Sequence, residues 1–259
     1  MIEVEKLTKS YGPFQAVKGI SFEVGKAEVV GFLGPNGAGK STTLRILAGY
    51  LGMTSGRVRI AGHDILDDSA AARAAIGYMP EGAPLYQEMR VEEYLRFRVE
   101  LKGVPRKDRL TSVERAMRDT HLDDMADVVI GNLSKGYKQR VALADALVAR
   151  PPILIFDEPT AHLDPNQIRD VRTLIRELGE KHTVLLSTHI LPEVESVCSR
   201  AFVIARGKLV AQGSIDSLRS TRRSTHARVV VRAPVSNPEP NDALIKGVEA
   251  LPRCPRSSA

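Results

Sequence analysis

The sequence predicts an α/β fold in which a largely parallel sheet is flanked by helices, with a smaller antiparallel β layer at the N-terminus and an inserted α-helical lobe. Two observations support this prediction. Short β-type segments alternate with helical ones, and a glycine-rich loop lies directly between an apolar, strand-like run and a helical run. The core strands are expected near Glu28–Leu33, Ile153–Asp157, Thr183–Ser187 and Ala201–Ala205.

Two segments before the glycine-rich loop predict the smaller layer. Ile2–Leu7 and Ile20–Val24 both have the residue pattern of strands, and Tyr11 lies between them. We therefore expect these strands to form an antiparallel layer beside the parallel core.

A helical pattern replaces the strand pattern from about residue 82 to residue 150, which predicts the inserted lobe. Apolar residues that recur there at helical spacing are better explained as the core of the lobe than as a binding surface. They are Val91, Tyr94, Leu95 and Val99. The loop just before them, Pro84–Met89, is aromatic and apolar, which favours a binding surface at that point.

Composition limits the class of protein. The 259 residues suffice for one large domain or for a domain with an inserted lobe, and 43% of them are hydrophobic. The longest apolar runs, such as Ile153–Phe156, are strand-sized and far shorter than the ~18 residues of a membrane helix. No secretory signal is expected, and the two cysteines indicate no disulfide framework, which favours the reducing cytosol.

The net charge of +6 is concentrated near the C-terminus. Residues 221–259 contain seven Lys or Arg and three Asp or Glu, together with five of the fifteen prolines. The basic charge therefore does not predict a nucleic-acid partner. We expect a domain over residues 1–220 and a weakly ordered tail over 221–259, with one short strand at Ala227–Val231. A solvated extension is the simpler interpretation of the tail, and a contact with lipid headgroups or a partner is the alternative.

Residues 34–41 match the complete G-x-x-x-x-G-K-[ST] pattern of a phosphate-binding loop. The loop follows the run Val29–Leu33 and precedes a helical run, Thr42–Leu47, so backbone N–H groups and a helix N-terminus point at one place. Lys40 can reach β and γ phosphates, and the Ser41 hydroxyl can bind Mg²⁺. The residues expected to contact a polyphosphate are Gly34, Pro35, Asn36, Gly37, Ala38, Gly39, Lys40, Ser41 and Thr42.

Two carboxylates, Asp157 and Glu158, end the apolar run at 153–156. This position is the C-terminal edge of a buried strand, where open α/β sheets bind ligands. Asp157 can hold Mg²⁺ through water, and Glu158 can polarise a water that attacks a γ-phosphate. The alternative is that the pair only begins a loop and caps a helix.

The segment Leu133–Arg140 precedes an apolar helical run that continues through Val148. Ser134 is a candidate N-cap of that helix. Together with Gly136 and nearby cations, its hydroxyl also suits the γ-phosphate of a nucleotide.

The order phosphate loop, Leu-Ser-x-Gly, Asp-Glu and a lone His resembles the nucleotide-binding subunit of ATP-binding cassette (ABC) transporters, over roughly residues 1–217. The resemblance implies a P-loop NTPase fold with a RecA-like parallel core, with ATP and Mg²⁺ as its ligands. It implies that Tyr11 stacks on adenine, although a core or turn tyrosine is the alternative. Glu81 stands where the family has Gln, so its carboxylate could bind Mg²⁺, repel the γ-phosphate, or lie in solvent.

The resemblance also assigns two further residues. Asp164 would report across a dimer, and the Asp-Pro pair also predicts the N-cap and first residue of a helix. His189, at the end of a predicted strand, would contact the γ-phosphate. The implied catalytic residues are Lys40, Glu81, Glu158 and His189, and the implied metal ligands are Ser41, Glu81 and Asp157.

The signature departs from Leu-Ser-Gly-Gly-Gln by having Lys135 and Tyr137 in place of the first glycine and the glutamine. This variant, with the segments Tyr78–Glu81 and Pro84–Tyr86, is similar to exporter cassettes of the gliding-motility and multidrug type. Those cassettes pair with separately encoded permeases at the cytoplasmic face of the membrane. In the family, Ser134 and Gly136 of one subunit would close over the ATP of another, which implies a homodimer or a second cassette.

Two alternatives remain open. A soluble ABC protein that acts on the ribosome or another macromolecule is supported by the loop Ala161–Asp164, but that branch carries two cassettes and a charged linker in one chain. A P-loop kinase for small molecules would explain Gly34–Ser41 and leave Ser134 with Gly136 unexplained.

Overall fold

This computed structural model describes residues 1–222, which form two β-sheets and the helices packed on them. The strands are β1 (Ile2–Tyr11), β2 (Phe14–Val24), β3 (Val29–Leu33), β4 (Ser55–Ile60), β5 (His63–Asp64), β6 (Ile76–Met79), β7 (Ile153–Asp157), β8 (Thr183–Thr188), β9 (Arg200–Ala205) and β10 (Lys208–Ser214). The α-helices are α1 (Lys40–Leu47), α2 (Ser69–Ala74), α3 (Val91–Leu101), α4 (Arg109–Asp119), α5 (Lys135–Leu147), α6 (Pro165–Gly179), α7 (Leu191–Val197) and α8 (Ile215–Arg222).

The larger sheet has the strand order β10-β9-β3-β8-β7-β6, and its strands are parallel except for β10 at one edge. The register pairs Leu33 with Thr188 and Asp157 with Ser187. Because the carboxyl ends of parallel strands meet at one edge of a sheet, the loops that follow β3, β7 and β8 lie side by side. This is the edge at which the sequence predicts the phosphate loop, the two carboxylates and His189.

The core lies on both faces of this sheet. On one face, α1 and the antiparallel sheet β2-β1-β4-β5 pack around the rings of Phe22, Phe32 and Phe202, whose centroids are 4.8–6.0 Å apart. On the other face, apolar residues of α3, α4, α5 and α6 pack together with Leu154 and Phe156 of β7. The helical lobe therefore shares its core with the sheet and has no separate core of its own.

The four apolar residues predicted as the core of the lobe are all buried, so that interpretation is confirmed. The predicted core strands agree with β3, β7, β8 and β9 to within one residue at each end. The boundaries of the first two strands are wrong. β1 continues to Tyr11 and β2 begins at Phe14, so the two strands form a hairpin closed at Gly12, where φ is +56°. The polar run after Leu7 hid this extension, because register shifts let the strand continue through it.

The predicted division at residue 220 stays a prediction. Helix α8 ends at Arg222. The rest of the predicted tail, including the strand at Ala227–Val231, lies outside the described residues. Within residues 1–222, no helix is both long enough and apolar enough to cross a membrane.

Candidate active site

The backbone of the loop between β3 and α1 requires glycine at several positions. Gly37 and Gly39 have φ of +76° and +105°, in the left-handed region that favours glycine. A Cβ on Gly39 would lie 2.7 Å from the Ala16 carbonyl oxygen, and one on Gly34 would lie 2.3 Å from the Ile204 carbonyl oxygen. The loop is thus packed closely against its neighbours. No side chain caps the N-terminus of α1, so the first N–H groups of this helix are free to point into the loop. Such a loop binds anions.

Lys40 is buried and lies against both the loop and Glu158. Its Nζ donates to the Gly34 carbonyl oxygen at 2.8 Å and lies 3.3 Å from Glu158 Oε1. Both side chains are less than one tenth exposed, so each charge compensates the other in a site that excludes most water.

Asp157 is held behind the loop by two hydroxyls. Its Oδ1 accepts hydrogen bonds from Ser41 Oγ at 3.0 Å and from Ser187 Oγ at 2.6 Å. Its Oδ2 is one of three buried side-chain polar atoms in the described residues that have no hydrogen-bond partner. An unpartnered carboxylate oxygen beside a hydroxyl and an anion-binding loop fits a hard divalent cation such as Mg²⁺. Residues 1–222 contain no cluster of three His, Cys, Asp or Glu that could hold a metal, and Mg²⁺ with phosphate ligands needs none.

Glu158 is in contact with His189. Oε2 of Glu158 lies 3.1 Å from His189 Nδ1, and half of the His189 side chain is exposed. Glu158 has φ of +51°, an unusual conformation for a residue other than glycine, and its N–H donates to both the carbonyl and the hydroxyl oxygen of Ser187. Strain of this kind persists where the surroundings fix a side chain for a function.

Lys40, Glu158 and His189 border a cavity of about 680 Å³, and Asp157, which lies behind the loop, is not among the residues that line it. The predicted site residues that line it are Tyr11, Asn36, Gly37, Gly39, Lys40, Ser41, Thr42, Glu81, Glu158 and His189. Gly34, Pro35 and Ala38 complete the loop beneath it, where the Ala38 N–H donates to the Pro35 carbonyl oxygen. The volume, the anion-binding loop and the exposed Tyr11 ring suit a ligand with a polyphosphate and an aromatic base.

Three predicted residues lie elsewhere in the described chain. Ser134 caps α5, where its Oγ accepts from the Tyr137 N–H at 3.4 Å. Asp164 caps α6, where its Oδ1 accepts from the N–H groups of Asn166 and Gln167, each at 3.0 Å. Gly136 lies under Gln167, whose side chain would be 3.0 Å from an added Cβ. The capping geometry agrees with the prediction, and none of the three residues is among those that line the cavity.

Three further residues of the site were not predicted from the sequence. Ser187 hydrogen-bonds Asp157, and its place at the end of a predicted strand was the available signal. Phe14 lines the cavity and is largely exposed, but an aromatic residue in a strand normally indicates packing. His162 also lines the cavity, with φ of +63°. In the sequence, its loop indicates only an alternative function and not a place in this site.

Comparison with known proteins agrees with this geometry. The family model described as "ABC transporter" matches residues 17–161. "Uncharacterized ABC transporter ATP-binding protein YxlF" of Bacillus subtilis is 38% identical over 224 residues, 86% of this chain and 74% of that protein. "Nod factor export ATP-binding protein I" of Paraburkholderia xenovorans is 38% identical over 84% of this chain and 72% of that protein. "Probable multidrug ABC transporter ATP-binding protein YbhF" of Escherichia coli is 38% identical over 85% of this chain, which spans 38% of that longer protein.

Solved structures share the fold. "Structure of ATP binding subunit of ABC transporter" has a TM-score of 0.75 and 30% identity, covering 86% of this chain and 93% of that chain. "Dimeric Structure of MJ0796, a Bacterial ABC Transporter Cassette" has a TM-score of 0.74 and 26% identity, covering 83% and 99%. The same cassette in a dimeric post-hydrolysis state "bound to ADP and Pi" has a TM-score of 0.73, with the same identity and coverage. The expected fold class, a P-loop NTPase with a parallel core, is therefore confirmed.

Proposed function

The chain belongs to the ABC transporter family, and on that premise we propose that it is the ATP-hydrolysing subunit of an exporter, working with a separately encoded membrane permease. Family membership implies ATP binding and hydrolysis. The observation that carries the hydrolytic part of the proposal is the buried Glu158 carboxylate, which lies between Lys40 of the phosphate loop and His189. A carboxylate at that position can activate water, which hydrolysis needs and simple nucleotide binding does not.

Nucleotide binding would use the two ends of the cavity. The phosphate loop and Lys40 supply N–H groups and a cation for the phosphates. Tyr11 and Phe14 are exposed aromatic rings on its wall, and either can stack on the base. The Ser41 hydroxyl and, through water, Asp157 would hold Mg²⁺, with Glu81 a further candidate ligand. Mg²⁺ supplies charge neutralisation at the phosphate oxygens.

Hydrolysis would proceed by in-line attack of water on the γ-phosphorus, giving ADP and phosphate. Glu158 accepts the proton of the attacking water. His189 contacts the γ-phosphate and restrains the Glu158 carboxylate through the 3.1 Å contact. Lys40, which compensates the Glu158 charge, is also the cation that the phosphate loop itself supplies.

A second subunit would complete the site. Ser134 and Asp164 are exposed helix caps that do not line the cavity of their own chain. In a head-to-tail dimer they would close over the ATP of the partner, together with Gly136 at the start of α5. The dimeric form of the related cassette supports the dimer. The partner is a homodimer subunit or another cassette.

The permease would dock on the lobe side of the molecule. Two adjoining cavities of about 890 and 520 Å³ share Tyr50, Tyr78 and Arg98 as lining residues. Glu81 lines the smaller of these cavities and also the nucleotide cavity. A conformational change at the nucleotide would therefore reach the proposed docking surface through this single residue. Beside them, the Tyr86 ring packs at 5.7 Å from the exposed Phe97 ring. Docking here would place the chain at the cytoplasmic face of the membrane.

Export is proposed because of the names of two similar proteins. One is named for Nod factor export and the other as a multidrug transporter protein. The soluble, macromolecule-directed alternative rests on the loop Ala161–Asp164, whose His162 lines the nucleotide cavity. No nucleic-acid partner is proposed.

A pull-down under ATP tests the proposal. Glu158→Gln, which should trap ATP, is used as bait in native cell extract, with membrane and ribosomal fractions analysed separately. The matched control is Glu158→Gln combined with Lys40→Ala, which should not hold ATP. Recovery of a polytopic membrane protein with the bait and not with the control is the expected result. Recovery of ribosomes without such a protein would overturn the permease assignment in favour of the soluble alternative.

A further inference from the structure

Glu193 is a buried carboxylate that lies outside the candidate active site. It belongs to α7, is 3% exposed, and is not among the residues lining the nucleotide cavity. Its Oε1 accepts a hydrogen bond from Thr160 Oγ1 and its Oε2 accepts one from Thr188 Oγ1, both at 2.6 Å. Arg172 of α6 lies 3.4 Å from Oε1. Burying a carboxylate is costly unless it is fully hydrogen-bonded, and here each oxygen has its own donor.

The two threonines are next to the proposed catalytic residues. Thr160 is two residues after Glu158 in the loop that follows β7, and Thr188 directly precedes His189 at the end of β8. Thr188 Oγ1 also accepts a hydrogen bond from the Ile190 N–H at 3.1 Å, so the residues directly before and after His189 are hydrogen-bonded to each other. One carboxylate therefore connects the loop of the proposed base to the loop of the proposed switch histidine.

We propose that Glu193 is a positioning residue that fixes Glu158 and His189 relative to each other by joining the loops that carry them. The inference rests on the proposed function, because it assigns Glu193 to the same hydrolytic site. Glu158 is held in a strained conformation with φ of +51°, and such conformations need support from their surroundings. Hydroxyl-to-carboxylate bonds of this length are charge-assisted and among the stronger ones in proteins.

The geometry requires a carboxylate rather than an amide. The two threonines bond different oxygens of Glu193, and a glutamine would place its carbonyl oxygen at one of them and its NH₂ group at the other, so it could accept from only one threonine in this geometry. One hydroxyl would have to reverse its role, and Arg172 would lose its charged partner. A purely structural ion pair between Glu193 and Arg172 predicts a different result, namely lower stability with an unchanged turnover of the folded protein.

Steady-state kinetics of the purified full-length chain separate the two interpretations. We expect Glu193→Gln to lower kcat by about 10-fold or more, because a small misplacement of reacting groups is sufficient for such a loss. KM for ATP should stay within about 2-fold, because the phosphate loop and Tyr11 are untouched. Glu195→Gln makes the same change two residues further along α7, beside Arg219, and should leave both constants unchanged. A kcat for Glu193→Gln within about 2-fold of the wild type would overturn the proposal.

A double-mutant cycle on the threonines tests the link itself, and does not depend on Glu193→Gln folding. Thr160→Val and Thr188→Val each break the link, so the double variant should lose little more kcat than the more severe single variant. Additive losses would show that the two loops act independently and would contradict the proposal. A wild-type chain that binds ATP but never hydrolyses it would instead contradict the proposed function, and the inference with it.

Discussion

Ser41 Oγ donates a hydrogen bond to Asp157 Oδ1 at 3.0 Å, although 116 residues separate them in the chain. The bond joins the first turn of α1 to the last residue of β7, and so brings the phosphate loop and the proposed metal carboxylate to one place. The second oxygen of Asp157 has no partner within residues 1–222. This pair is therefore the part of the site where a divalent cation fits.

Asp157→Asn should raise the Mg²⁺ concentration that half-saturates ATP hydrolysis by about 10-fold or more, because an oxygen available to the cation shell is replaced by an NH₂ group that cannot bind it. The measurement is a Mg²⁺ titration of the ATPase rate at fixed ATP. Asp170→Asn, an exposed carboxylate on α6 that pairs with Arg140, is the control. An unchanged Mg²⁺ requirement would remove Asp157 from the metal site.

Glu158→Gln should bind ATP normally and hydrolyse it at least ~100-fold more slowly, as expected for loss of a positioned base. ATP affinity and single-turnover hydrolysis are measured on the same preparation. Glu180→Gln, an exposed carboxylate at the end of α6, makes the same chemical change far from the loop and should be without effect. Near-normal turnover of Glu158→Gln would show that another group activates the water.

Lys40→Ala should abolish nucleotide binding, because the main cation facing the phosphates is lost. It should also lower the unfolding temperature, because Glu158 would be left as a buried charge without Lys40. Adding Glu158→Gln to Lys40→Ala should restore the unfolding temperature but not ATP binding. Thermal unfolding and ATP titration of both variants check this, and retained ATP affinity in Lys40→Ala would contradict the assignment of the loop.

The elements that could be predicted from the sequence are those in which local pattern and tertiary environment agree. Strand β7 is buried throughout and apolar up to its last residue, Asp157, so its bounds follow from the sequence alone. The contacts between distant residues could not be predicted. That Ser187 bonds Asp157, or that Glu193 joins Thr160 to Thr188, depends on the strand order β3-β8-β7, which no local pattern specifies. The hairpin at Tyr11 was missed because its polar residues hide a strand that pairs on both sides.

Mixing two inactive variants should restore hydrolysis if the site is shared between subunits. Ser134→Arg should keep ATP binding in its own cavity, because Ser134 does not line it, but should block closure over a partner. Lys40→Ala should bind no ATP but keep an intact Ser134. A mixed dimer of the two has one complete site, so the mixture should hydrolyse ATP several-fold faster than either variant alone. A mixture no more active than its components would argue against the head-to-tail dimer.

Tyr78 gives a prediction for alkaline pH. Its hydroxyl is buried and makes no well-aligned hydrogen bond in the described chain, although Arg45 is near enough to interact with it. Burial, with a smaller contribution from the charge of Asp157, raises the pKa of Tyr78 to about 12, although Arg45 opposes this. Because the folded-state pKa lies above the value of about 10 expected when unfolded, the folded state keeps its proton longer, and stability should fall as pH rises from about 10 to about 12.

Tyr78→Phe removes this titration, so its free energy of unfolding should fall less steeply between pH 10 and 12 than that of the wild type. At pH 8 the variant should be about as stable as the wild type, because the lost hydroxyl is buried and makes no well-aligned hydrogen bond. Tyr50→Phe, at an exposed ring 5.2 Å from Tyr78, is the comparison and should change the slope less than Tyr78→Phe, because the charge of Tyr50 is the smallest contribution to the raised pKa of Tyr78. Urea unfolding at a series of pH values makes the comparison. A wild-type slope in Tyr78→Phe would mean that other groups account for the alkaline loss of stability.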